Sequence, residues 1–134
     1  IDINMPPPFE GAPNIIFSYT RAQAIADGIL IDLTDWAREL GFRYPVACTA
    51  RVWTGYIVPP DALRSMGQSE RGRGHDVLWM LLNAIRRNAG ENCVFFDVIF
   101  LQPPERQVTI KLKALCGPGD DGQPVITIML PEED

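Results

Sequence analysis

The chain has 134 residues, 46% of them hydrophobic, enough for a sizeable core and too many for wholesale disorder. Its 12 Lys and Arg against 17 Asp and Glu leave a net charge of −5, which argues against non-specific binding to nucleic acid, because phosphate contact needs surplus cations. Cys48, Cys93 and Cys116 are an odd, unclustered set without Cys-x-x-Cys, which fits buried thiols in a reducing compartment and excludes a disulfide framework.

Residues 1–14 contain Met5-Pro6-Pro7-Pro8 and Gly11-Ala12-Pro13-Asn14 and read as a flexible leader, with a single domain expected over 15–134. Thr20-Arg21-Ala22-Gln23 has capping-box form, and Gly28 is placed to end the short helix it opens. Ile29 to Leu33 is a brief extended piece. Thr34 is expected to cap a second short helix, with Asp35 in its first turn and Gly41 closing it. Over Pro45 to Val58 two signals compete. Val46, Ala50, Trp53 and Ile57 lie at helical spacing, while Val52 to Val58 is strand-like in composition; helix is the favoured reading.

Residues 67–74 read as a polar loop, followed by the strongest helix, about Asp76 to Ala89. Leu78, Leu81, Leu82 and Ile85 form its stripe, and Val77, Trp79 and Met80 make its first turns apolar nearly all round, so it is expected to be buried on more than one side. Arg86, Arg87 and Gly90 mark its end. Cys93 to Leu101 is a strand with Val94, Phe96, Val98 and Phe100 on one face. A turn over 102–107 leads to the most legible part of the chain, a β-hairpin. Ile110, Leu112, Ala114 and Cys116 share its buried face, with Thr109, Lys111 and Lys113 on the wet one. Cys116 to Gly122 supplies turn chemistry, and Ile126, Ile128 and Leu130 point inward on the partner strand. The acidic end, Pro131 to Asp134, reads as solvated. The fold class is therefore α+β: a three- to four-stranded antiparallel meander over about 93–130, Ile29–Leu33 being the optional fourth strand, covered by helices on one face.

Several residues invite a chemical reading. His75, the lone histidine, stands beside Asp76, and a carboxylate can orient an imidazole as a general base. Adjacent residues rarely face each other, and Asp76 is more simply an N-cap or first-turn acid. Arg64, Arg71 and Arg73 in a Gly-rich loop could contact phosphate, diluted by Asp61 and Glu70. Asp120 and Asp121 could offer oxygens to a hard cation, but the alternating carboxylates and distant bidentate Glu of an EF-hand are missing, and a turn explains them better. Trp36, Trp53 and Trp79 are expected in the core, as are the cysteines. No dinucleotide fingerprint, Walker loop or zincin motif is present, so neither a metal nor a cofactor is expected. No stretch reads as a signal peptide, and the runs Val77–Leu82 and Val98–Leu101 are too short to span a bilayer, so the expectation is a cytoplasmic protein.

Three stretches together carry a resemblance: Tyr19 to Ile25 with Asp27-Gly28, then Asp76 to Met80, then Gly117 to Gly122 with Pro124 to Pro131. They resemble an uncharacterised bacterial family, a domain of unknown function often found on plasmids and integrative elements, over about residues 15–134. The resemblance implies a cytoplasmic bacterial accessory protein encoded on a mobile element. It carries over no activity, cofactor or catalytic residue. Within it, Tyr19, Arg21, Asp27, Asp76, Asp120 and Asp121 are the polar residues open to a functional role. The absence of a catalytic constellation in the sequence and the moderate acidity favour a non-catalytic binding or regulatory module acting on a protein partner. The alternatives are a small hydrolase or metal-dependent enzyme using His75, Asp76 and the 117–122 loop, and a nucleic-acid contact through the arginines of 64–73.

Overall fold

The computed structural model describes residues 19–133, so the leader expected over 1–14 lies outside the described residues. α1 (Arg21–Ala26) opens on the capping box: the Gln23 N–H donates to Thr20 Oγ1, and the Thr20 N–H donates to Gln23 Oε1. Gly28, at φ 78°, then turns the chain out of the helix into β1 (Leu30–Asp32). α2 (Thr34–Glu39) follows, but Thr34 is its first residue rather than its cap. The Thr34 hydroxyl donates to Asp32 and accepts from the Val46 N–H, tying the helix to the next strand.

The helix favoured for 45–58 is corrected. Val46–Thr49 is a strand, β2; Ala50–Val52 is one helical turn, α3, capped by the Thr49 hydroxyl; and Trp53–Ile57 is a π-helical turn. Val46, Val52 and Ile57 all face the core, each from a different kind of backbone. α4 (Asp61–Arg64) comes next. α5 (Glu70–Arg87) then begins at Glu70 rather than Asp76, with Ser69 Oγ accepting from the Gly72 N–H at 3.0 Å. The expected loop over 67–74 is thus largely the first turns of this helix, and Asp76 is an interior position, not a cap. Gly72 and Gly74 hide the helix from propensity arguments. Gly74 is there for packing: a Cβ on it would stand 2.5 Å from an atom of the Trp36 ring.

β3 (Cys93–Gln102), β4 (Arg106–Pro118) and β5 (Pro124–Met129) form the expected antiparallel meander. β2 then pairs parallel to β5, and β1 pairs antiparallel to β2. The sheet therefore has five strands in the order β1-β2-β5-β4-β3, one more than the upper expectation and with one parallel pair. On one face, Phe96, Val98, Leu112 and Ile128 pack against Leu78 and Leu81 of α5 in a single core, with Ile85 and Ile110 at its margin. At about 25 cal/mol per Å² of apolar surface, this layer is the main favourable contribution to folding.

The other face departs from expectation. Lys113 is buried, not solvated: its amine donates to the Glu133 carbonyl at 2.8 Å and the Pro131 carbonyl at 3.3 Å. The acidic end is correspondingly docked through residue 133. Glu133 Oε2 accepts from the Thr49 hydroxyl and the Leu130 N–H, and Arg51 pairs with Glu132. α1 also reaches this face, so helices lie on both sides of the sheet. Trp79, expected inside, is 46% exposed, whereas Trp36 and Trp53 stack with ring centroids 6.1 Å apart at the core's margin. Cys48 is buried, and burial pushes its thiol up to about 12; Cys116 is half-buried; Cys93 is exposed, against expectation. All three are free.

Candidate functional site

The first and third family-like stretches meet at the start of α1. Asp120, from the β4–β5 loop, accepts from the Arg21 N–H at 2.8 Å and the Ala22 N–H at 3.0 Å. These are two of the backbone donors that a helix start leaves unsatisfied. The two bonds hold the Asp120 carboxyl below its ordinary value, with Arg21 adding to the effect. The Arg21 side chain crosses to β5, where Nη1 donates to Thr127 Oγ1 at 2.6 Å and Nη2 to the Ile126 carbonyl at 2.8 Å. Burial lowers its pKa, opposed by the carboxylates of Asp32 and Asp120. Tyr19 donates its hydroxyl to Asp27 Oδ2 at 2.5 Å across α1, and that bond raises the phenol's pKa. Tyr19, Arg21, Asp120 and Thr127 line one cleft of about 640 Å³ on the sheet face away from the core. Asp121 stands apart from this contact and accepts from the Gln123 N–H, an Asx turn.

The second family-like stretch is elsewhere. His75 and Asp76 lie on the exposed side of α5, 4.0 Å apart, with Trp79 one turn on. The cleft lined by Asp120 is not lined by His75, so the residues of the enzyme reading are divided between two places. Among the described residues no three His, Cys, Asp or Glu side chains gather as a metal would require.

The three arginines are each engaged. Arg64 makes a two-pronged contact with Glu70, at 3.0 and 2.9 Å, and the hydrogen bonds hold Glu70 at about 2. Arg71 pairs with Glu39 at 2.6 Å. Arg73 is buried, only 3% exposed, and donates to Gln68 Oε1 and to the carbonyls of Tyr56 and Leu101 while lying over the Phe100 ring. It is a structural tie between α5, the π-helical turn and β3, not a loop residue facing phosphate.

Two further places were not named from the sequence. A mainly apolar cavity of about 470 Å³ lies at the C-terminal end of α5, with Phe42, Val94 and Ala114 inside and Arg43, Tyr44 and Glu91 around it. The second is the outer side of β3, where Phe95 is 51% and Ile99 58% exposed. Among the described residues β3 is the last strand of the sheet. The Cys116 N–H donates to the Asn92 carbonyl at 2.8 Å, which fixes the alternation along the ladder. Val94, Phe96, Val98 and Phe100 turn their backbone groups to β4, and Cys93, Phe95, Asp97, Ile99 and Leu101 turn theirs outward. The sequence did hold a signal for this edge. Phe95 and Ile99 occupy positions where a strand with one wet face carries polar residues.

A sequence-family model described as a family of unknown function (DUF6573) matches residues 5–134, so the chain belongs to that family. The match starts nearer the N-terminus than the stretches that carried the resemblance. No curated protein and no solved structure matches the chain. No helix among the described residues is long and apolar enough to cross a membrane.

Proposed function

Starting from membership of a family of unknown function, we propose that this chain is a non-catalytic binding or regulatory module whose ligand is a protein. The observation that supports the reading is the outer side of β3, where two large apolar side chains are exposed beside a sheet edge whose outward backbone groups from Cys93 to Ile99 have no partner among the described residues. Such an edge binds a protein by adding a strand, the main chain giving affinity and the flanking side chains specificity. The other readings draw less support. The enzyme reading needs His75 and Asp120 in one site, and the nucleic-acid reading needs arginines available to phosphate, whereas Arg64, Arg71 and Arg73 are held by protein groups.

The bacterial, mobile-element and cytoplasmic setting belongs to the same proposal. It rests on the three sequence stretches and on the unpaired cysteines. Its test is the genetic neighbourhood of family members: presence only at fixed chromosomal positions, away from plasmids and integrative elements, overturns it.

Affinity capture from the cells that encode the chain, followed by mass spectrometry, tests the binding role. The wild-type chain is expected to retain a protein that the Phe95→Ser/Ile99→Ser variant loses. Equal retention by both overturns the assignment to β3.

A further inference from the structure

We infer that the partner at β3 is a second copy of this chain, paired antiparallel through β3 about a two-fold axis at Asp97; the inference rests on the binding role proposed above. The outward backbone groups belong to Cys93, Phe95, Asp97 and Ile99, and to Leu101, whose carbonyl already accepts from Arg73; Asp97 is the middle one. A two-fold there brings every outward group of one strand onto an outward group of the other, as an antiparallel ladder requires. It sets Phe95 opposite the partner's Ile99, and Cys93 opposite the partner's Leu101, whose carbonyl is shared with Arg73. Aromatic against β-branched is a favourable cross-strand pair, and both of these side chains are exposed in the single chain. Shifting the axis to Phe96 instead sets Phe95 against the partner's Asp97, an apolar ring against a carboxylate.

The axis sets Asp97 opposite the partner's Asp97, a like-charge contact that a lysine on each side offsets. Asp97 already faces Lys111 across the β3–β4 ladder, Nζ to Oδ1 at 3.3 Å. The two-fold extends this pair into a row reading Lys111, Asp97, the partner's Asp97, the partner's Lys111. Each carboxylate in that row keeps an ammonium neighbour, and the row carries no net charge. The strand also lacks the devices that keep an edge single. From Cys93 to Leu101 there is no proline and no lysine, and the one charged residue is matched within the chain. The opposite edge of the sheet, β1, is three residues long. Pairing at β3 therefore closes at two chains, joined by the same patch on each.

Sedimentation velocity of the full chain over a range of concentrations tests this. The expected result is a shift from the mass of one chain to the mass of two as concentration rises. Asp97→Lys makes the row wholly cationic and is expected to hold the protein at one-chain mass. Asp97→Lys with Lys111→Asp rebuilds a row without net charge, each ammonium beside a carboxylate, and is expected to restore pairing, which separates a loss of contact from a loss of fold. One-chain mass for the wild type throughout overturns the inference. So does two-chain mass that survives Asp97→Lys, or a double variant that stays single. If the wild type is single yet captures a protein through Phe95 and Ile99, only self-pairing falls. If it is single and capture is indifferent to those residues, the binding role at β3 falls with it.

Discussion

Asp120 shows how one side chain can join parts of the chain that are remote in sequence. Its carboxylate takes two N–H groups at the start of α1, about a hundred residues earlier, and the charged form is the one those donors favour. The sign of the pH dependence follows. A carboxyl held below its ordinary 3.8 contributes stability that is fully present above that value and is lost as pH falls through the lower, folded value. Asp120→Ala is therefore expected to lower the melting temperature at neutral pH, with the gap to wild type closing as the solution is acidified below 3.8. A gap that stays constant down the acid range would show that Asp120 does not hold α1. The residue's identity was visible in the sequence, but its partner was not. Asp in a Gly-rich loop reads as turn chemistry, and only Asp121 has that role, because the turn needs one acceptor and leaves the other carboxylate free to reach α1.

Among the elements, the β4–β5 loop is the one with a choice between turn and cation site. Both of its carboxylates already accept backbone N–H groups, and calcium or magnesium wants several oxygens in one shell. Adding millimolar calcium is thus expected to leave the melting temperature unchanged. A ligand of the native state at ~100 times its dissociation constant stabilises by about 2.7 kcal/mol, a shift of several degrees for a chain of this length. A rise of that size, abolished by Asp120→Asn with Asp121→Asn, would make the loop a metal site. The hairpin containing the loop was legible because alternation and turn residues are local properties. α5 was legible only from Asp76 onward, since its first turns carry two glycines and a buried arginine. Gly74 and Arg73 serve contacts with Trp36, Tyr56 and Leu101, none of them near in sequence.

For the whole molecule, the core between α5 and the sheet should dominate stability. Leu81 and Ile128 are fully buried, on the helix and on the sheet. Truncating either to Ala is expected to cost about 2–5 kcal/mol by denaturant unfolding, as the lost contacts leave a cavity. A loss under about 0.5 kcal/mol at both positions would place these faces in solvent and refute the packing. This core could be read from the chain alone, because apolar period 2 in three strands and period 3.6 in α5 each fix a buried face without reference to the rest. So could the α+β class and the absence of recognisable catalytic spacing. The course of β2 could not. Val46-Ala47-Cys48 is a strand because β1 and β5 flank it, and neither neighbour leaves a mark in those three residues. The fate of the second sheet face could not be read either. Lys113 is buried because Pro131 and Glu133 fold over it, while Phe95 and Ile99, on the same face, are left bare at the edge. Alternation tells which side of a strand a residue is on; what covers that side is set by contacts between distant segments, and these exist only once the chain has closed on itself.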